Sequence, residues 1–233
     1  MLRLLLSLPF FFAVTVGLGM PSIVAGLVDR RGEVPWRLGR SWGRLLLWAW
    51  GVRVVVVGAR QLPGGPVVYA VNHGSVLDIP VLFAHLPRSF RIVHKRSLYL
   101  VPLIGLYLYC CGHIGIDRGR AFRARKSLER AARRIAGGTN VAVFPEGTRS
   151  ADGSVRRFKR GSFVLAIQAG VPVVPVSLAG VKRVAPRGLL RLRPGELTLT
   201  LHPPISTAGR GLEEAGALAD EVRGIVARGC AAA

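Results

Sequence analysis

Short apolar runs alternate along the chain with longer stretches in which apolar residues recur every three or four positions. The runs predict strands, at residues 52–56, 66–70, 90–93, 113–116, 140–144, 172–178 and 196–202. The longer stretches predict helices, ending near residues 85, 135, 169 and 227. This order predicts an α/β fold, with a layered, mixed and largely parallel sheet flanked by helices.

The N-terminal segment departs from this alternation. Residues 4–28 contain no charged side chain, and as a helix they would reach about 37 Å, enough for a hydrocarbon core of about 30 Å. Pro9, Gly17, Gly19 and Pro21 interrupt the run. Three interpretations therefore stay open: a straight spanning helix, a broken hairpin dipping into one leaflet, and a cleaved signal peptide.

Basic and aromatic residues follow the apolar segment. An excess of arginine on this side indicates that it faces the cytoplasm. Residues 36–50 mix four tryptophans with arginines and leucines, a composition typical of a helix at a membrane interface. We expect a membrane-associated helical segment at residues 1–50 and an α/β domain at residues 51–233, on the cytoplasmic face of the inner (plasma) membrane.

The overall charge favours acidic partners. The 233 residues include 33 basic and 12 acidic side chains, a formal net charge of +21. Such a surplus attracts nucleic acid, anionic lipid headgroups, phosphorylated substrates or acidic carrier proteins. The three cysteines are odd in number and two are adjacent, so no disulfide framework is expected. No Cys-x-x-Cys or His-Glu-x-x-His spacing occurs, and we predict no metal site.

The first candidate for chemistry is the pair His73 and Asp78, which follows the apolar run at residues 66–70. Histidine can accept and return a proton near neutral pH, and a nearby carboxylate stabilises the imidazolium that forms. Residues five apart on a helix point about 140° apart, so contact requires a turn, which Gly74 and Ser75 permit. The alternative is a helix start with Asp78 as its N-cap.

A second polar stretch follows the apolar run at residues 140–144. Glu146 and Arg149 come directly after it, at a strand end of the kind where ligands of α/β sheets bind. By themselves the two residues also fit a structural ion pair.

Four segments together resemble the ordered motifs of the glycerolipid acyltransferase family, and most closely the 1-acyl-sn-glycerol-3-phosphate (lysophosphatidic acid) acyltransferases. The segments are residues 72–78 (NHGSVLD), 112–118 (GHIGIDR), 144–150 (FPEGTRS) and 171–176 (VPVVPV). The resemblance covers roughly residues 50–205 and implies a glycerol-3-phosphate acyltransferase-like fold.

The resemblance also implies a reaction and its residues. His73 and Asp78 would act as a general-base pair, and the substrate-binding residues would be Arg118, Glu146, Gly147, Thr148, Arg149 and Lys95. Since Glu146 is acidic, we expect it to bond the glycerol hydroxyl or to position an arginine. Lys159 is a weaker candidate for phosphate or donor binding. No cofactor is expected beyond acyl-CoA or acyl-carrier protein as co-substrate, and transfer to lysophosphatidate would give phosphatidic acid.

Other interpretations compete with this one. The acceptor could be another lysolipid or glycerol 3-phosphate. Residues 39–43 fit the Gly-x-Ser-x-Gly pattern of serine hydrolases, but no hydrophobic strand precedes Ser41, which fits an interfacial helix better. A basic polyanion-binding protein is the third class; no recognition motif supports nucleic acid, and membrane lipids are the expected partners. The apolar residues 98–111 predict a helix broken by Pro102 and Gly105, which could line an acyl chain, lie on the membrane or pack in the core.

Overall fold

The computed structural model describes residues 2–29, 31–59, 62–117, 121–186 and 192–232. The described helices are α1 (Leu2–Val28), α2 (Glu33–Ala49), α3 (Asp78–His85), α4 (Ile104–Cys110), α5 (Ala121–Ala136), α6 (Gly161–Ala169), α7 (Val181–Val184) and α8 (Ala215–Ala231). The described strands are β1 (Val52–Val57), β2 (Val68–Val71), β3 (Arg91–Lys95), β4 (Ile114–Ile116), β5 (Val141–Val143), β6 (Val173–Ala179) and β7 (Gly195–Leu201).

The described strands form one seven-stranded sheet in the order β1-β7-β6-β2-β5-β3-β4. Within it β6 and β7 pair antiparallel, and the other neighbouring strands pair parallel. The predicted mixed, largely parallel sheet is confirmed. Because β6, β2, β5, β3 and β4 run in the same direction, the residues that follow them emerge at one edge of the sheet, where α/β proteins bind their ligands.

Alternating side chains of the central strands build two separate cores. On β2, Tyr69 and Val71 point toward the core that includes residues of α2 and α3. Val68 and Ala70 point the other way, toward α5, α6 and α8. Successive strand residues face opposite sides of a sheet, so a strand buried on both sides must be apolar throughout, as β2 is.

The N-terminal helix α1 is continuous through Pro9 and Pro21, and the structure therefore does not have the broken hairpin. Within the described part of the chain, Pro9–Val28 is the one helix long and apolar enough to cross a membrane, judged by length and composition. The next helix, α2, packs closely on α3, since a Cβ on Gly43 would lie 2.4 Å from the Pro80 carbonyl oxygen. The domain boundary at residue 50 stays a prediction.

Two elements differ from the predicted pattern. Residues 98–111 were predicted as a helix broken by Pro102 and Gly105. They form a 3₁₀ turn (Arg96–Leu100) and then α4 (Ile104–Cys110), so the break at Pro102 is present, whereas Gly105 lies within α4. Between the turn and α4, Pro102 lacks a backbone donor and Leu103 takes a left-handed φ of 62°. Helix α7 was not predicted, because four residues are too few to show a helical period.

Candidate active site

The histidine and aspartate of the first motif lie on opposite sides of a tight loop. His73 follows β2, and Asp78 is the first residue of α3. Their Nδ1 and Oδ2 atoms are 2.6 Å apart. The backbone N–H groups of Gly74 and Ser75 donate to the same carboxylate oxygen, at 2.9 and 3.0 Å. The helix N-cap is Leu77, so the alternative with Asp78 as N-cap is wrong.

The surroundings of this pair suit proton transfer. The Asp78 side chain is fully buried, whereas that of His73 is 18% exposed. The imidazole stacks on Phe144, with ring centroids 4.2 Å apart and an interplanar angle of 26°. Since Nδ1 bonds the carboxylate, Nε2 is the nitrogen left to exchange a proton. Such an arrangement allows the imidazole to act as a general base, because a buried carboxylate can stabilise its cationic form.

Glu146 holds the loop of His73 in place. Its Oε1 accepts the backbone N–H of His73 at 2.8 Å, and its Oε2 accepts that of Arg156 at 3.3 Å. The Ser150 N–H donates to the His73 carbonyl at 2.8 Å. Burial raises the pKa of the Glu146 carboxyl above its ordinary value, although the donated N–H groups oppose the shift. Glu146 therefore connects the two motifs through backbone contacts.

The rest of the second motif forms an exposed turn. Gly147 has a left-handed φ of 76°, a conformation that favours glycine. The Thr148 hydroxyl accepts a hydrogen bond from Arg156 Nη1 at 3.0 Å. Arg149 is exposed and has no ion-pair partner among the described residues. The alternative of a Glu146–Arg149 ion pair is therefore wrong.

The remaining predicted substrate residues are Lys95 and Arg118. Strand register places Tyr69, Ala142 and Ile92 side by side, so Lys95 lies level with the start of the His73 loop. It is two strand spacings away, about 10 Å, and its exposed side chain has no polar partner in the described ranges. Arg118 lies outside the described residues.

One structural residue of the site was missed by the sequence reasoning. Asn72 is buried, donates to the Leu178 carbonyl at 3.0 Å and accepts the Leu178 N–H at 2.8 Å. This pair of bonds fixes the end of β2 against β6. The only signal in the sequence was a polar residue at the end of an apolar run.

A second missed feature is a cavity of ≈ 570 Å³ beside Glu146. The loop at residues 151–160 and helix α8 form its walls. Lys159, the weaker candidate for phosphate or donor binding, lines this cavity together with Arg156, Arg157 and Arg160. The signal was the run of cations at residues 156–160, whose clustering around a cavity required the fold.

The structure does not support the other kinds of active site that the sequence suggested. Ser41 lies inside α2, and so the strand–turn–helix that a nucleophile elbow needs is absent there. The four other histidines contact no carboxylate among the described residues. Across the same residues, no group of histidine, cysteine and acidic side chains is arranged to hold a metal ion.

Comparison with known proteins identifies relatives over most of the chain. Residues 53–179 match the acyltransferase family. A 1-acyl-sn-glycerol-3-phosphate acyltransferase of Chlamydomonas reinhardtii is 38% identical over 88% of this chain and 62% of its own length. The human 1-acyl-sn-glycerol-3-phosphate acyltransferase alpha is 36% identical over 75% of this chain and 62% of its own length. The chain thus spans less than two thirds of these relatives.

A solved structure resembles the whole chain. It is the crystal structure of the 1-acyl-sn-glycerophosphate (LPA) acyltransferase PlsC from Thermotoga maritima, with a TM-score of 0.80 and 30% identity. The match covers 98% of this chain and 94% of that chain. It therefore includes the N-terminal helices as well as the sheet.

Proposed function

The chain belongs to the acyltransferase family, and from that premise we propose that it acylates the free hydroxyl of 1-acylglycerol 3-phosphate, giving phosphatidic acid. The relatives named for this reaction support the choice of acceptor. The observation that carries the proposal is the 2.6 Å hydrogen bond between His73 and the buried carboxylate of Asp78. It supplies a base at the edge of the sheet where substrates of α/β proteins bind.

The reaction needs no acyl-enzyme. His73 Nε2 takes the proton of the acceptor hydroxyl while the hydroxyl oxygen attacks the carbonyl carbon of the donor thioester. Asp78 stabilises the imidazolium, which then returns the proton to the departing thiolate. One C–O ester bond forms, one C–S bond breaks, and the proton leaves on the thiol.

The acceptor phosphate is held by cations at the same edge. Arg149 and Lys95 are both exposed, and their side chains have no polar partner within the described part of the chain. Guanidinium and ammonium groups bind phosphate through charge-assisted hydrogen bonds. Arg118 is a third candidate by family resemblance. Glu146, Gly147 and Thr148 shape the loops that carry these groups.

The acyl donor is a thioester of coenzyme A or of acyl-carrier protein, and both are acidic enough to be attracted by a chain of net charge +21. Helix α1 associates the enzyme with the membrane in which its lipid acceptor lies. The arginines after α1 favour the cytoplasmic face of the inner membrane.

The test is an acyl-transfer assay on purified full-length protein with both donor types. The acceptors are lysophosphatidate, its analogues with other headgroups, and glycerol 3-phosphate. We expect turnover with lysophosphatidate that depends on its phosphate and is lost in His73→Asn. Turnover of a neutral or zwitterionic lysolipid in preference to lysophosphatidate would overturn the acceptor assignment, and full activity in His73→Asn would overturn the mechanism.

A further inference from the structure

The ≈ 570 Å³ cavity has the charge of an anion site. Its four cationic side chains, Arg156, Arg157, Lys159 and Arg160, outnumber the two acidic ones, Glu146 and Asp220. Three of the cations, residues 157, 159 and 160, have no hydrogen-bond or ion-pair partner for their side chains among the described residues. Helix α6 begins directly after Arg160, and its N-terminal end adds partial positive charge.

The loop that carries these cations is held firmly by the rest of the domain. Lys159 N–H donates to the Pro145 carbonyl at 2.9 Å. Arg223 of α8 donates to the carbonyls of Val155 and Arg156, at 3.2 and 3.1 Å. Phe158 is buried in the core shared by α6 and α8. The four cations therefore surround the cavity at fixed backbone positions, which favours ligand binding because little ordering is needed.

The Glu146 side chain contacts both the loop of His73 and the loop that lines the cavity. One oxygen of Glu146 accepts the N–H of His73, and the other accepts the N–H of Arg156. Glu146 thus contacts the loop of the base and also lines the cavity, whose other lining residues include Gly216 and Ala219 of α8.

We propose that this cavity binds the phosphates of the coenzyme A nucleotide of the acyl donor, an inference that rests on the proposed function. The acceptor phosphate is only a few bonds from the reacting hydroxyl, so it must stay close to His73. Coenzyme A carries several phosphates at the far end of a long flexible arm, which a cationic cavity that His73 itself does not line can accommodate. The volume of the cavity falls within the range of about 300–1,000 Å³ that is typical of small-molecule sites. A cavity of this size suits a nucleotide better than it suits the surface of an acyl-carrier protein.

The experiment uses the full-length enzyme and the double variant Arg157→Ala/Lys159→Ala. We expect its KM for acyl-CoA to rise on the order of 10-fold or more, with kcat and the KM for lysophosphatidate unchanged. Adenosine 3′,5′-bisphosphate should inhibit the wild type competitively against acyl-CoA and the variant much more weakly. Lys126→Ala/Arg133→Ala, which removes the same charge from the exposed face of α5, should leave both constants unchanged.

Several results would overturn this site. A rise in the KM for lysophosphatidate alone would assign the cavity to the acceptor. An equal rise in the KM for acyl-CoA in the α5 control would show that only the overall positive charge of the protein matters. Transfer from acyl-carrier protein without inhibition by the bisphosphate would assign these cations to a protein partner. Calorimetric titration with the bisphosphate separates this proposal from the proposed function: binding lost in the variant supports the site even without turnover, and no binding overturns it.

An independent observation concerns the apolar segment at residues 98–109. Its large side chains are exposed, Leu100 by 84% and Leu103 by 66%, and they continue into Ile104, Leu106 and Tyr109. The left-handed φ of Leu103 is strained for a residue with a Cβ. An exposed apolar patch of this kind marks an interaction surface.

The neighbours of this segment identify its partner. Helix α1 packs against α4 so closely that a Cβ on Gly26 would lie 2.4 Å from the Cys110 carbonyl oxygen. Lys95 and Arg96, both exposed, precede the apolar residues and suit anionic headgroups. We infer that residues 98–109 insert into the same bilayer surface as α1, which brings the carboxyl edge of the sheet to the lipid acceptor.

The test compares lysophosphatidate in anionic vesicles with the same lipid dispersed in detergent. Leu100→Glu should lower turnover in vesicles on the order of 10-fold, because a carboxylate is costly to insert, and leave turnover in detergent unchanged. Leu212→Glu, on an exposed leucine outside this segment, is the matched control. Equal turnover in vesicles for the wild type, Leu100→Glu and Leu212→Glu would overturn the inference. An equal loss of turnover in vesicles and in detergent for Leu100→Glu would also overturn it, and the milder variant Leu100→Ser tests whether that loss comes from misfolding.

Discussion

His73 and His113 both lie in loops at strand ends, but their surroundings give them opposite properties. His73 follows β2 and shares a hydrogen bond with the carboxylate of Asp78. His113 precedes β4, is 4% exposed, and uses Nδ1 to accept the backbone N–H of Ile92 at 2.9 Å. An imidazole nitrogen that accepts a hydrogen bond must be unprotonated, so His113 is neutral.

The charges nearby reinforce this difference. Burial lowers the pKa of His113 from 6.5 to about 3, and the positive charges of Arg91 and Arg134 act in the same direction. Both imidazoles have an aromatic neighbour, so a carboxylate partner and partial exposure are what distinguish His73, the proposed base, from the structural His113.

Exchanging each histidine in turn should separate chemistry from stability. His73→Asn removes the base and should lower kcat by about 10²–10⁴-fold, with little change in the free energy of unfolding. His113→Phe leaves the Ile92 N–H without its acceptor and should lower that free energy by about 1–3 kcal/mol, with kcat retained. Steady-state kinetics and urea unfolding measure both. Loss of kcat in His113→Phe equal to that in His73→Asn would refute the distinction.

Removing only the charge of the carboxylate tests its part directly. Asp78→Asn keeps the shape of the side chain but no longer stabilises the imidazolium. We expect kcat to fall on the order of 10²-fold or more while both KM values stay near those of the wild type. A rise in KM at constant kcat would instead show that Asp78 serves substrate binding, and thermal unfolding of the variant controls for damage to the loop.

The pH dependence of stability should report the neutral state of His113. Its folded pKa is about 3, below the ordinary 6.5, so the unfolded chain binds the proton more readily between these values. This contribution to stability is complete above pH 6.5 and decreases as the pH falls toward 3. The difference in the free energy of unfolding between the wild type and His113→Phe, measured in urea, should therefore decrease as the pH is lowered from 7 to 4. A constant difference would contradict the assignment.

Glu146 should make a smaller contribution to the pH dependence of stability, and its contribution should change with pH in the opposite direction. Its folded pKa is raised above the ordinary 4.5, so the folded protein retains the proton after the unfolded chain has lost it. Stability from this group therefore falls as the pH rises through and above 4.5. Glu146→Gln cannot ionise, and its melting temperature should improve relative to the wild type over that interval. Parallel pH profiles for the two proteins would mean that burial does not disfavour this carboxylate.

Local patterns were informative where an element is long or apolar enough to show its period. The central strands, the amphipathic helix α5 and the turn after β2 were all predictable, because burial on one or both faces leaves a repeating signal. At residues 98–111 the sequence predicted breaks at Pro102 and Gly105, but the chain breaks only around Pro102 and Leu103, and Gly105 lies within α4. The pattern also missed α7, which is too short to carry a period.

The alternation of strands and helices, the apolar N-terminal helix and the imidazole and carboxylate five residues apart can all be read from the amino-acid sequence. The contact of Glu146 with the backbone of His73 depends on the folded chain, because it joins residues 73 positions apart through the pairing of β2 with β5. The cationic cavity beside Glu146 likewise exists only once α8 packs against the loop at residues 151–160. Contacts of this range depend on strand order and helix docking, which no local periodicity specifies.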